Sequence, residues 1–168
     1  RDSTYTGPTI VNGGTLTLAP GVIDSSTVTV GSPTAAATLH VESNSYINEY
    51  GTASLTLTAN TGNLSLTDTF IDSLYIGGTG NSPGLILNGG NTISLDVAGY
   101  NADSIVLGAG RTASITGTTT IIPTILSLST GTTALITAPG GGLATGGTFV
   151  LAPPTANYVG TLSLVNNG

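Results

Sequence analysis

Apolar side chains recur at every second position along most of this chain, in short bursts. Leu16/Leu18, Val28/Val30, Leu39/Val41, Leu55/Leu57, Leu64/Leu66 and Leu74/Ile76 set the pattern. Leu85/Leu87, Leu95/Val97, Ile105/Leu107, Leu126/Leu128, Phe149/Leu151 and Leu162/Leu164 continue it. A period of two places alternate side chains on opposite faces of a strand, so each pair marks one strand with a buried side. Consecutive pairs mostly sit 9 to 12 residues apart, with wider gaps such as that between Leu39 and Leu55. Gly, Asn, Asp, Ser and Pro fill the intervals, and each favours turns for its own steric or hydrogen-bonding reason. No stretch carries an i, i+3, i+4, i+7 apolar stripe. The pattern predicts an all-β chain.

Short strands at this spacing fit two architectures. In a parallel β-solenoid (β-helix), coils of two or three strands, roughly 22 to 33 residues long, stack on one another. In an antiparallel β-sandwich, the Asn-Gly-Gly turns at Asn12–Gly14 and Asn88–Gly90 would close hairpins. Alternation alone does not separate the two, and the irregular spacing speaks against a strict short repeat. The solenoid is the leading expectation. At 168 residues the chain is long enough for one β-rich domain, 1–168, with its own core.

Composition narrows function more than fold. Only 6% of residues are charged, and the net charge of −6 comes from eight acids against Arg1 and Arg111. Binding to nucleic acid requires clustered Lys and Arg, so that partner is excluded, and an anionic membrane surface is disfavoured for the same reason. No apolar run approaches the 18 residues of a membrane-spanning helix. With no cysteine the chain has no disulfide and no thiolate chemistry. It contains no Met and starts at Arg1, which suggests a processed product or a piece of a longer protein. The scarcity of Lys and Arg leaves few sites for trypsin-like proteases, which suits an extracellular setting.

The stretch YTGPTIVNGGTLTL, Tyr5–Leu18, resembles the autotransporter-associated β-strand repeat of large bacterial surface proteins. Tyr5, Thr6, Gly7, Val11, Asn12, Gly13, Gly14, Thr15 and Leu16 carry the match. A looser relative, GGTFVLAPPTANYVGTLSLVNNG, closes the chain at Gly146–Gly168. Tyr5–Gly14 is echoed by Tyr158–Gly168, as where one tandem module meets the next. The resemblance implies a secreted, right-handed parallel β-helix on a bacterial surface, with adhesive or self-associating roles. It brings no catalytic residues with it.

Candidate chemistry is sparse. His40 and Glu42, beside Glu49, Tyr46 and Tyr50, form the densest group. If Leu39 and Val41 face inward, His40 and Glu42 project outward together, as acid–base work or metal binding would require. A solvated strand face explains them more simply. Asp68 and Asp72, with turn carbonyls and Asn63, offer oxygens to a structural calcium, though calcium needs six to eight of them. Asp96, Asp103 and Arg111 have the residue types of a polysaccharide lyase, but a turn role for Asp103 and a surface ion pair for Arg111 are simpler. Gly77–Gly84 and Ala138–Gly147 lack the Lys-Ser/Thr of a phosphate loop and read as tight connections. Asn63-Leu64-Ser65 is a lone glycosylation pattern. Tyr46, Tyr50, Tyr75 and Tyr100 would make a glycan-stacking surface only if the fold gathered them.

The expectation is therefore a non-catalytic structural or adhesive module at a bacterial cell surface, without a cofactor, self-associating into a fibre, sheath or array. A glycan-binding module is the alternative, and a β-helix polysaccharide lyase or hydrolase a weaker one.

Overall fold

The computed structural model describes residues 5–24, 27–49, 51–153 and 160–161. Arg1, Tyr50, the Leu162/Leu164 pair and most of the closing Tyr158–Gly168 echo lie outside the described residues.

The chain winds as a parallel β-solenoid of about five turns, with no helix among the described residues. The first turn contains β1 (Thr9–Val11), β2 (Gly14–Leu18) and β3 (Gly21–Ile23). The second contains β4 (Thr27–Val30), β5 (Ala37–Val41) and β6 (Ser45–Ile47), and the third β7 (Ser54–Leu57), β8 (Gly62–Ser65) and β9 (Ser73–Ile76). The fourth has β10 (Pro83–Leu87), β11 (Asn91–Ala98), the short β12 (Asn101–Ala102) and β13 (Ser104–Leu107). The fifth has β14 (Thr112–Ser127) and β15 (Ile136–Thr137), and β16 (Leu143–Leu151) lies on β14.

These strands build three faces. The first stacks β1, β4, β7, β10 and the start of β14; the second stacks β2, β5, β8, β11 and the rest of β14. The third is the five-stranded sheet β3-β6-β9-β13-β15. Because β14 runs unbroken round the first corner, the first two faces join in one 11-stranded sheet. Gly117 takes that corner with φ of +61°, a conformation costly for residues with a Cβ.

Parallel register lines the inward side chains up in columns. Val28, Leu55, Leu85 and Ala113 form one, and Leu39, Leu64, Ile93 and Ile121 another. Ile47, Ile76 and Leu107 form the third. All are buried, so the three columns meet as one apolar core. The step between stacked residues varies from Thr9↔Val28 to Ile105↔Ile136, and this variation is absorbed in the corners. Irregular spacing is therefore compatible with a regular ladder.

The antiparallel alternative is not what forms. Asn12–Gly14 and Asn88–Gly90 lie where one face gives way to the next and do not close hairpins. Leu126/Leu128 also departs from expectation, with both residues exposed at 38% and 65%. The inward phase of β14 passes through Ala113, Ile115, Thr119 and Ile121, which leaves Leu126 on the outer side. A period-two pattern fixes alternation but not which phase is buried.

Leu64→Ala is expected to destabilise the fold by about 2–5 kcal/mol, because it opens a cavity in a filled column. Leu126→Ser should change stability by less than about 0.5 kcal/mol. Urea unfolding followed by circular dichroism checks both; equal losses would contradict the phase assignment.

Candidate functional site

Polar side chains concentrate at the corners, where backbone groups leave the strand ladders. The corner between the second and third faces is the richest. It is built from the 66–72 loop of the third turn and the 96–103 segment of the fourth.

Asp103 is completely buried there and accepts two backbone hydrogen bonds. Asp72 N–H reaches Oδ1 at 2.8 Å, and Asp96 N–H reaches Oδ2 at 2.6 Å. Asp96, also buried, accepts from Asp68 N–H at 3.0 Å and Thr69 N–H at 2.7 Å, both on the turn below. Asp68 in turn accepts from Ser43 N–H at 3.3 Å and Phe70 N–H at 2.9 Å. Asn44 Oδ1 accepts from Ser73 N–H at 2.9 Å. Each side chain thus ties one turn to the next where the ladder lapses.

This geometry carries an electrostatic cost. Leu66, Leu95 and Ile105 line a void of about 10 Å³ beside Asp103, too small for any ligand. Burial among them raises the Asp103 carboxyl to about 6, with the charges of Asp96 and Asp68 adding to it and the two N–H donors opposing. Burial and then the Asp68 charge push Asp72 up as well. Asp72 Oδ2 is buried and has no hydrogen-bond partner.

Asp68 and Asp72 therefore share the corner, as a calcium site would need. Asn63 does not join them; it pairs with Thr92 Oγ1 at 2.7 Å on the second face. No three acids or histidines converge in metal-binding geometry among the described residues.

The same corner displays aromatics. Phe70 and Tyr100 are 69% and 66% exposed. Thr69, with φ of +78°, is held there by its bond to Asp96 and sets the path of the chain into Phe70.

Arg111 corrects the surface reading. It is buried at the corner between the third and first faces and donates to Ser82 Oγ at 2.6 Å, to Pro83 O at 3.1 Å and to Ala53 O. It thereby clamps three successive turns, and burial pushes its guanidinium below its ordinary value. Asp96 and Asp103 meet at one corner and Arg111 serves another, so the three do not form the lyase-like group.

His40 and Glu42 do project outward together, with Nε2 to Oε1 at 3.7 Å. The structure adds Ser65, whose Oγ lies 3.2 Å from His40 Nδ1. Parallel register sets His40 directly against Ser65, a neighbour that linear spacing hides. Ser65 Oγ also bonds Thr67 Oγ1 at 3.0 Å, and the group stands on an open sheet face. Ser65, His40 and Glu42 thus form a row of polar side chains on the outer side of the second face.

Tyr46 and Tyr75 are gathered. They sit opposite one another on β6 and β9 and stack with centroids 4.7 Å apart at 14°. They border an open groove of about 400 Å³ with Glu49, Thr79 and Val106. Tyr100 lies on the acidic corner instead. Of the two Gly-rich strings, residues 77–82 and 138–142 connect the third face to the first, whereas residues 83–84 belong to β10 and residues 143–147 to β16. A Cβ on Gly108 would lie 1.8 Å from Gly78 O, so the fourth turn stacks on this loop only with glycine at position 108.

Arg111→Lys is expected to lower stability by about 1–3 kcal/mol, since one ammonium cannot reproduce a fork reaching several acceptors. Glu42→Gln should change it by less than about 0.5 kcal/mol. Thermal unfolding of the two variants distinguishes a clamp from a surface pair. Comparison with family models, with curated proteins and with solved structures finds no match to this chain.

Proposed function

We propose that this chain is a non-catalytic structural or adhesive module of a bacterial cell-surface protein, acting outside the cell and associating with further copies of itself. The observation that carries this reading is the solenoid, whose strands can accept further parallel strands along its axis. Among the described residues, β2 and β3 pair on one side only, with β5 and β6. Such an edge offers N–H and C=O groups to another strand. The outer positions of β2, β5, β8 and the first part of β11 are Thr15, Thr17, Thr38, Ser65, Thr92 and Ser94, apart from His40 and Asn63, and on β14 they include Thr120, Ile122 and Thr124, so neighbouring copies meet little Coulomb repulsion. The Tyr5–Leu18 motif adds the bacterial-surface setting by resemblance.

A second reading, a glycan-binding module, draws support from the exposed rings of Phe70 and Tyr100 and from the groove beside Tyr46 and Tyr75. Aromatic faces take up sugar rings without needing charge.

Electron microscopy of the 168-residue chain across a concentration series is the test. Fibres or sheets with a regular axial repeat are expected, and Leu16→Asp with Leu18→Asp should abolish them. Monomers at every concentration, together with saturable polysaccharide binding, would replace the first reading with the second.

A further inference from the structure

Among the described residues, no basic side chain pairs with the acids of this corner. The chain has only two basic residues besides its histidine. Arg111 is engaged at another corner, and Arg1 lies outside the described residues. The acidic groups of the two turns are Asp68 and Asp72 on the third and Asp96 and Asp103 on the fourth, and Tyr75 and Tyr100 are their tyrosines. Asn44 of the second turn is neutral, with His40 and Glu42 on the outer face nearby. The fifth-turn segment 128–134 has no titratable side chain.

Two independent observations locate where a proton would go. Asp72 is only 7% exposed, and its Oδ2 makes no hydrogen bond. Asp103 is fully buried against Leu66, Leu95 and Ile105 and holds the Asp72 and Asp96 amides.

We propose that this corner is an acid latch: it takes up a proton as the medium passes from neutral to mildly acidic, and that proton holds the loops bearing Phe70 and Tyr100 against the solenoid. At neutral pH four carboxylates crowd a site with no basic side chain among the described residues, and their repulsion favours opening of these loops. Protonation of Asp103 removes a buried charge while one oxygen still accepts from the backbone. Protonation of Asp72 gives Oδ2 a hydrogen to donate toward Asp68.

The direction follows from linkage. The folded chain holds the Asp103 proton more tightly, titrating at about 6 against 3.8 when unperturbed. The stability contributed by this proton is full below about pH 4 and is lost as pH rises through about 6. This is opposite to the behaviour of a salt-bridged aspartate.

Hydrogen exchange of the Asp72 and Asp96 amides, corrected for intrinsic rates, tests the latch between pH 5 and 7.5, above the isoelectric point of about 4.1. Protection should fall about tenfold over that range in the wild-type chain. Asp103→Asn should abolish the change. Carbon-13 titration of the wild-type carboxyls needs no variant, and Asp103 should show an inflection near pH 6. An Asp103 inflection near 4, or protection independent of pH, would overturn the latch. A tenfold change that persists in a folded Asp103→Asn chain would overturn the assignment to Asp103.

Discussion

Parallel stacking of the turns, with strands about 4.8 Å apart, is the constraint on which the rest of this structure depends. Along the faces the backbone ladder meets it without help, and Leu, Ile and Val fill the columns beneath. At the corners the ladder lapses, and each corner uses different chemistry to restore it. At the first, Asn91 Nδ2 donates to the carbonyls of Thr58 and Gly62 at 2.8 and 2.9 Å. At the second, Asp96 and Asp103 accept amides of the turn below. At the third, Arg111 donates to carbonyls of the turns beneath it. A carbonyl-rich corner calls for a donor and an amide-rich corner for an acceptor, so side-chain type follows from which backbone groups are left over.

The same spacing explains which features were legible in the sequence. The strands were, because Leu39/Val41 or Leu74/Ile76 alternate within a few residues and need no knowledge of the fold. The parallel stack was one of two readings, since alternation is identical in a sandwich. The phase of Leu126/Leu128 was not legible, because alternation looks the same in either phase and the inward one, odd-numbered from Ala113 to Ile121, is set by register against the turn below. Arg111 was misread for a related reason. Nothing near it in sequence marks Ala53 or Ser82 as its partners, which arrive from earlier turns.

Among the candidate sites, contacts along a strand were predictable and contacts between turns were not. His40 and Glu42 share a strand face by local geometry alone. Ser65 joins them only through register, as Tyr75 joins Tyr46. The acidic corner brings residues 68 to 103 together in the same way. Asp68, Asp72, Asp96 and Asp103 look scattered along the chain, yet they fall on adjoining turns of one corner.

Parallel stacking also bears on the low charge of the chain. Like positions on successive turns lie one strand spacing apart, so a charged residue repeated in a column would face its own sign at about 4.8 Å. At an effective dielectric constant of 20, such a pair repels by about 3 kcal/mol, and the penalty recurs at each added turn. Thr, Ser and Asn columns avoid this and can hydrogen-bond along the stack, as Thr92 does with Asn63. The acidic corner is the exception. There the carboxylates hold backbone amides that would otherwise be unpaired, and an added proton reduces the repulsion without requiring a lysine. A chain that stacks its turns this closely can keep acids together only where amides or protons offset their charge.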